Sequence, residues 1–346
     1  MTTNCFINDG LHIYSRTVFI GTILASLLLL FYVCRVRPGP KKKVEDFVFQ
    51  RFQKTIKSPV SFTGVGLHSG SIVDLSINPA PENHGIVFRR IDNQNSAPIT
   101  AHAFQVTSTN LATTIGSGFS KISTIEHLMA AIYSLGIDNA LITVNGSEIP
   151  ALDGSAKPYI DKFNEIGFSE QSVERSFFII KKPFELSDNK GSLVKVEPSL
   201  RLQFRCSIDF PGVIGKQDVE VGFHQEGFAN ILSARTFCHA DQVEQMKKDG
   251  LALGGSLQNA IVVSNTDILN KEGLRSKDEF AKHKLLDAIG DLALLGSPVI
   301  GKFSFIKSGH NLHVSFVTEL LKAKHDYIAI IEPRHAAEEY KSLFFP

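Results

Sequence analysis

Side chains that can bind a metal recur at four-residue intervals in one segment of the sequence. His283, Asp287 and Asp291 have the spacing i, i+4, i+8, which places them on one face of an α-helix. Imidazole nitrogen and carboxylate oxygen are both good ligands for zinc. The alternative is a solvated helix face that carries an ordinary i,i+4 pair. The segment therefore predicts a helix, and it leaves open whether this face binds a metal.

A second histidine, His127, directly follows Glu126 at the start of another predicted helix. With His127 as a third protein ligand, one coordination position would stay open for water, as in catalytic zinc sites. Glu126 would then act as the base on that water. The competing interpretation is a helix cap, because Ser123 and Glu126 have the Ser-x-x-Glu spacing of a capping box.

A third candidate is His310, which follows a glycine shortly after the predicted strand 301–306. Such a position is typical of a surface turn. An imidazole there would equally suit a general acid that protonates a leaving group. Asp291, one helical turn beyond Asp287, is predicted to orient a nearby imidazole, and His310 is the preferred partner.

These residues belong to a longer series of motifs, and through it the chain resembles the UDP-3-O-acyl-N-acetylglucosamine deacetylases. That family consists of zinc amidases that commit a sugar nucleotide to lipid A synthesis. The motifs run in family order from about residue 50 to about residue 320, and together they are far more specific than any one of them. The matching segments are 64–70, 122–128, 135–139, 148–156, 233–237, 250–256, 259–263, 279–280, 283–292 and 308–310.

The resemblance implies one zinc ion per chain, bound by His127, His283 and Asp287. It also implies that Glu126 is the general base. Thr236 is expected to donate a hydrogen bond to the oxyanion of the tetrahedral intermediate. The implied reaction is hydrolysis of the N-acetyl group of a UDP-3-O-acyl-N-acetylglucosamine, which releases acetate and the free amine.

The resemblance also implies the remaining roles in the site. A protonated His310 would stabilise the oxyanion or protonate the departing amine, and Asp291 would keep that imidazole charged. Substrate contacts are expected from Lys284 near the diphosphate, Phe237 against the hexosamine, Phe210 against the uracil, and Gly255 and Ser256 beside the acyl chain. By residue type alone, these would be an exposed helix lysine, core phenylalanines and a turn before a buried strand.

The patterns along the chain indicate an α+β fold, because strands and helices mix without a strict βαβ alternation. Helices are predicted at 126–135, 158–166, 244–249 and 280–295, and strands at 73–77, 140–144, 177–180 and 202–206. The resemblance implies two similar domains, each a β-sheet packed with helices, and an active site at their interface. The expected limits are 50–172 for the first domain, 173–322 for the second with its acyl-chain-binding insert, and 323–346 for a C-terminal tail.

Residues 1–49 do not match the family pattern and are expected to form an N-terminal extension. The uncharged segment 17–34 is near the lower length limit of a membrane-spanning helix, and basic residues follow it at 35–43. The positive-inside rule then predicts a single-pass inner-membrane protein with cytoplasmic catalytic domains. A cleaved signal peptide and a later start site are the alternatives. If the N-terminal segment is removed or not translated, the enzyme is expected to be soluble in the cytoplasm.

The expected partners follow from charge and from the resemblance. The formal net charge is +1, so no electrostatic attraction to nucleic acid is implied. The substrate is expected to be an acylated UDP-amino-sugar, the segment 17–34 to contact the membrane, and the catalytic region to be monomeric. Two alternatives remain: a zinc amidohydrolase acting on another N-acylated sugar, and a non-catalytic membrane-anchored binding protein of the same fold.

Overall fold

Two five-stranded sheets organise residues 50–223 and 227–331, the part of the chain that the computed structural model describes. The strands, in chain order, are β1 Phe52–Ile56, β2 Val60–Val65, β3 Ile72–Pro79, β4 Ile86–Arg90, β5 Ile99–Thr100, β6 Val106–Ser108, β7 Thr114–Ile115, β8 Ala140–Val144, β9 Phe168–Glu174, β10 Phe177–Ile180, β11 Phe184–Ser187, β12 Leu193–Glu197, β13 Gln203–Phe210, β14 Gly215–Gly222, β15 Phe237–His239, β16 Ile261–Val263, β17 Val299–Ile300, β18 Lys302–Ile306 and β19 Ile328–Ile331.

The helices follow the same numbering. They are α1 Glu126–Leu135, α2 Lys157–Ile166, α3 Phe228–Leu232, α4 Ala240–Lys248, α5 Glu279–Leu292, α6 His310–Lys322 and α7 Lys324–Tyr327. The helix predicted at 126–135 is confirmed at both ends. The one predicted at 244–249 begins earlier, and the one predicted at 280–295 ends in a separate 3-10 turn, Ala293–Leu295.

The two large sheets have the same strand order. The first sheet is ordered β2-β3-β8-β4-β5 and the second β11-β12-β18-β13-β14. In each sheet, the strand that comes last in the sequence, β8 or β18, lies in the centre. It is antiparallel to one neighbour and parallel to the other. In each, a helix precedes that central strand: α1 before β8 and α5 before β18. The prediction of an α+β fold with two similar halves is confirmed.

Alternating burial explains why these segments form sheet strands. In β3, Val73, Leu75 and Ile77 are buried, while the residues between them are more exposed. A strand with period-two burial presents one face to the core and the other to solvent. The predicted strands at 73–77 and 140–144 are confirmed by this pattern.

A short two-stranded sheet is formed in the segment that follows residue 232. Strand β15 pairs in parallel with β16, and α4 forms part of the connection between them. The backbone N–H of Thr236 donates to the carbonyl of Gly154 at 2.8 Å. A Cβ on Gly154 would lie 2.1 Å from the carbonyl oxygen of Asn259, so this close approach requires glycine. The contact joins the 148–156 motif to the start of β15.

The expected domain limits stay predictions. The boundary expected at 172/173 falls within β9, which pairs with β1 at the other end of the first half. Part of the expected C-terminal tail is structured as α7 and β19. Residues 332–346 and the whole N-terminal extension, 1–49, lie outside the described residues.

The prediction of a single-pass inner-membrane protein is wrong. Within residues 50–223 and 227–331, no helix has the length and the apolar character that a membrane crossing requires. The longest helix there, α5, has 14 residues, whereas a crossing needs about 20. The segment 17–34, on which the prediction rested, lies outside the described residues.

Helices α1 and α5 cross at closest approach where α5 has a glycine. A Cβ on Gly290 would lie 2.1 Å from the backbone carbonyl oxygen of Glu126. A glycine inside a helix costs about 1 kcal/mol relative to alanine. Glycine is nonetheless required here, because any side chain would force the two helices apart.

We therefore expect Gly290→Ala to lower the free energy of unfolding by about 1–3 kcal/mol, although alanine is the better helix former. Chemical denaturation measures this change. Gly146→Ala is the matched control, since its Cβ would lie 3.5 Å from Val73 Cγ2, an ordinary contact. A Gly290→Ala protein as stable as the wild type would contradict the close crossing.

Candidate metal centre and catalytic cavity

Three buried ligand side chains converge where α1 and α5 cross. The candidate ligand atoms of His127, His283 and Asp287 all lie within 4.8 Å of one another. Nε2 of His283 lies 3.3 Å from Asp287 Oδ1, and Nε2 of His127 lies 3.5 Å from the same oxygen. Two imidazole nitrogens and a carboxylate oxygen, directed at one point, form a donor set that suits zinc.

The two helices contribute these ligands differently. His127 lies in the first turn of α1, and His283 and Asp287 follow one another by a turn on α5. Both α5 residues are buried, with exposures of 2% and 3%. The face that carries them lies against α1, so a solvated helix face does not describe this helix.

One hydrogen bond determines which ring nitrogen of His283 carries the proton. Its Nδ1 lies 2.9 Å from the carbonyl oxygen of Ala234. Because a carbonyl only accepts, Nδ1 carries the proton and the lone pair of Nε2 faces Asp287 and His127. Burial lowers the pKa of His283 to about 4, so the imidazole is neutral at physiological pH, the form in which histidine binds a metal.

Asp287 is held in its charged form by its neighbours. Burial alone would raise its pKa, but His283, which is protonated in acid, and the Lys284 ammonium hold that pKa well below its usual range. The ammonium of Lys284 lies 2.7 Å from Asp287 Oδ2, which leaves Oδ1 directed at the two histidines. Lys284 is therefore a half-buried partner of Asp287 rather than an exposed helix lysine.

Glu126 lies beside this cluster and does not cap its helix. The backbone N–H of Thr113 donates to Glu126 Oε2 at 3.0 Å. Ser123, the expected capping partner, is bonded instead to the carbonyl of Ser147 through both its N–H and its hydroxyl. The capping-box interpretation is therefore wrong. Burial raises the pKa of Glu126, as expected of a carboxyl group with a single backbone donor.

His310 completes the cluster and is joined to Asp291. Nδ1 of His310 lies 2.7 Å from Asp291 Oδ2. Its Nε2 lies 3.9 Å from Glu126 Oε1 and 3.9 Å from Asp287 Oδ2. Burial alone would lower the pKa of His310, but the Asp291 carboxylate outweighs burial and raises it to about 9. The imidazolium therefore faces the same space as the candidate ligands.

Two neighbouring cavities contain the remaining predicted residues. The larger, about 700 Å³, is lined by members of the cluster and by Phe210, Thr236, Phe237 and Lys284. The smaller, about 320 Å³, shares Thr236 and Phe237 with it and continues past Gly255, Ser256, Ala260 and Val262. Asp291, with no exposed surface, lies behind His310. The structure thus brings every predicted site residue to one region.

Sequence reasoning missed a buried carboxylate beneath this region. Glu148, 1% exposed, accepts hydrogen bonds from the backbone N–H groups of His68 and Ser69 at 2.8 Å each. It also accepts the hydroxyl hydrogen of Thr124 at 2.9 Å. Thr124 has φ 59°, a strained conformation for a β-branched residue. Glu148 thus fixes the turn that enters α1, and its place in the 148–156 motif was the only available signal.

Two further polar residues of the cluster were also missed. The hydroxyl of Thr113 donates to Asp291 Oδ1 at 2.5 Å. Nδ1 of His313 lies 2.9 Å from Asp291 Oδ2, and burial lowers the pKa of His313. His313 lies one turn after His310 on α6, so helical spacing could have found it, whereas nothing local indicated Thr113.

The fold and the site together define the class. An α+β protein with a buried His-His-Asp group, a neighbouring carboxylate and an imidazolium in one cavity is typical of metal-dependent hydrolases. A family model described as UDP-3-O-acyl N-acetylglycosamine deacetylase matches residues 53–322. The chain belongs to this family, and the resemblance drawn from the motifs is confirmed.

Individual relatives agree with the family match. The UDP-3-O-acyl-N-acetylglucosamine deacetylase of Citrifermentans bemidjiense is 42% identical over 281 residues, 81% of this chain and 92% of that protein. The deacetylase of Geotalea uraniireducens is 44% identical over 273 residues, 78% of this chain and 88% of that protein. The deacetylase of Psychrobacter cryohalolentis is 42% identical over 278 residues, 80% of this chain and 87% of that protein.

We expect Asp291→Asn to lower the pKa of His310 from about 9. The mutation removes the anion that favours the charged imidazole. Burial, which lowers the pKa, is then no longer outweighed. An NMR pH titration of the histidine ring measures the change. Asp326→Asn, on an exposed position of α7, is the control. If the pKa of His310 stayed near 9 in Asp291→Asn, other charges would set it.

Proposed function

We infer that this chain is a zinc-dependent deacetylase that hydrolyses the N-acetyl amide of a UDP-3-O-acyl-N-acetylglucosamine, a step of lipid A biosynthesis. Family membership supports the reaction, since the matched relatives carry that name. The observation that carries the inference is the convergence of His127, His283 and Asp287 beside Glu126 and His310.

The residues present fit a zinc ion. His127, His283 and Asp287 would hold it, since His283 has its metal-facing nitrogen unprotonated and Asp287 is charged. When bound there, zinc lowers the pKa of a coordinated water to about 7 and polarises the amide carbonyl. Three protein ligands leave room for water, which is the arrangement of catalytic rather than structural zinc sites.

Glu126 and His310 divide the proton transfers between them. Glu126, with one carboxylate oxygen held by Thr113 N–H, takes the proton of the attacking water. His310 is already protonated at neutral pH, so it stabilises the developing oxyanion and then protonates the departing amine. Thr236, in the cavity wall, supplies a hydroxyl hydrogen bond to the same oxyanion.

The two cavities suit the two ends of the substrate. In the larger one, Phe237 packs against the hexosamine and Phe210 against the uracil. The ring centroids of the two phenylalanines are 5.5 Å apart. Lys284 lies near the diphosphate while it pairs with Asp287. The acyl chain enters the smaller cavity beside Gly255 and Ser256. An open apolar cavity next to the cluster favours an acylated substrate over an N-acylated sugar without a long chain.

We expect His283→Ala to lose bound zinc and deacetylase activity together, because one of three ligands is removed. Elemental analysis of the purified full chain, alongside an assay for acetate release, measures both. His325→Ala, at an exposed position of α7, should keep both. A His283→Ala protein with full zinc content and full turnover would remove His283 from the site.

We expect Glu126→Gln to keep zinc and fold while it lowers the deacetylation rate by about 10²-fold or more, as loss of a general base does. Zinc content, thermal unfolding and steady-state kinetics are measured on the same preparation. The opposite pattern, a lower melting temperature with an unchanged rate, would give Glu126 a purely structural role.

A further inference from the structure

The Asp291 carboxylate is shared by three donors, two from α6 and one from Thr113. Oδ2 lies 2.7 Å from Nδ1 of His310 and 2.9 Å from Nδ1 of His313, which lies one turn later on α6. Oδ1 accepts the hydroxyl hydrogen of Thr113 at 2.5 Å. The proposed mechanism uses only His310 of these donors, and it leaves His313 without a role.

The protonation of His313 follows from its two partners. Because the carboxylate only accepts, Nδ1 carries a proton and donates it to Asp291. Burial lowers the pKa of this imidazole even beside Asp291, so Nε2 is unprotonated. Nε2 lies 2.9 Å from the hydroxyl oxygen of Ser308, which therefore donates to it. Both ring nitrogens are engaged, and the ring orientation is fixed.

This hydrogen-bond chain closes on itself. Ser308 lies in the turn that leads into α6, and His310 is the first residue of that helix. His313 thus connects the turn before His310 to the carboxylate that binds His310. Without it, Asp291 Oδ2 would keep a single histidine donor, and the turn would lose its bond to the helix.

We propose that His313 is a positioning residue of the deacetylase: through the bond that its Nδ1–H donates, it holds the Asp291 carboxylate so that the His310 imidazole points at the reacting amide. The inference rests on the proposed function, since it acts through His310. His313 itself is 2% exposed and lies outside the cavity lining, so it does not touch the substrate. Its loss should therefore lower kcat and leave KM unchanged.

Two substitutions separate the two bonds of the ring. The amide nitrogen of asparagine is as many bonds from Cβ as Nδ1, so His313→Asn retains the donor to Asp291. Glutamine reaches as far as Nε2, so His313→Gln retains a partner for Ser308 and loses that donor. We expect His313→Asn to keep a kcat close to the wild type. We expect His313→Gln to lower kcat about tenfold or more, the size of effect seen for outer hydrogen-bond partners of a site.

The measurements use the zinc-loaded full chain, with His325→Gln as the control on an exposed histidine. Nitrogen NMR should show neutral His313 with its proton on Nδ1. Equal kcat losses in His313→Asn and His313→Gln, or a proton on Nε2 only, would overturn the proposal. If His313→Gln did not fold, a reduced kcat in His313→Asn would still overturn it.

A further variant distinguishes this proposal from the proposed function. His310→Ala should lose most of its turnover if His310 is the acid, whatever His313 does. If His310→Ala retained wild-type turnover, the proposed role of His310 would fail, and the positioning role with it. An inactive His310→Ala together with a fully active His313→Gln would overturn the positioning role alone.

Discussion

The close crossing of α1 and α5 is the constraint on which the site depends. Gly290 allows the backbone of α5 to reach the carbonyl of Glu126, and no larger residue fits there. The crossing sets His127 against His283 and Asp287. The ring centroids of the two histidines are 5.0 Å apart. A wider spacing would separate the ligand atoms by more than a metal can bridge. The packing of two helices thus decides whether the three candidate ligands can share one metal ion.

Burial of so many ionisable groups is tolerated because each has a fixed partner. An unpaired buried charge is costly, whereas one that is paired and hydrogen-bonded can be kept. Asp287 is paired with Lys284, and Asp291 with His310. Glu126 has only a backbone donor on one oxygen. The pKa values are thereby pushed apart, since Glu126 is raised and Asp287 is lowered. Carboxyl groups a few ångströms apart can then perform different tasks.

The repeated sheet order explains how two distant helices meet. Each half forms a five-stranded sheet in the same order, and each supplies a helix just before its central strand. The first half contributes Glu126 and His127, and the second contributes His283 and Asp287. The second half also contains the β15–β16 connection that lines the smaller cavity. Two sheets of the same strand order thus carry different functional residues. This agrees with the general rule that function lies in residues placed on a fold.

The sequence by itself determined the local features. The i, i+4, i+8 spacing predicted the helix at 283–291, the alternation of apolar and polar residues predicted the strand at 73–77, and the motif series identified the family. It did not decide between a capping box and a catalytic base at Glu126. It gave no sign of Thr113, and its only sign of Glu148 was the place of that residue in the 148–156 motif. Thr113 and Asp291 are 178 positions apart, and no periodic pattern relates residues so distant. Only the order of the strands and the crossing of α1 with α5 bring them together, because helix and strand periodicity sets which face a residue occupies and tertiary packing sets what that face meets.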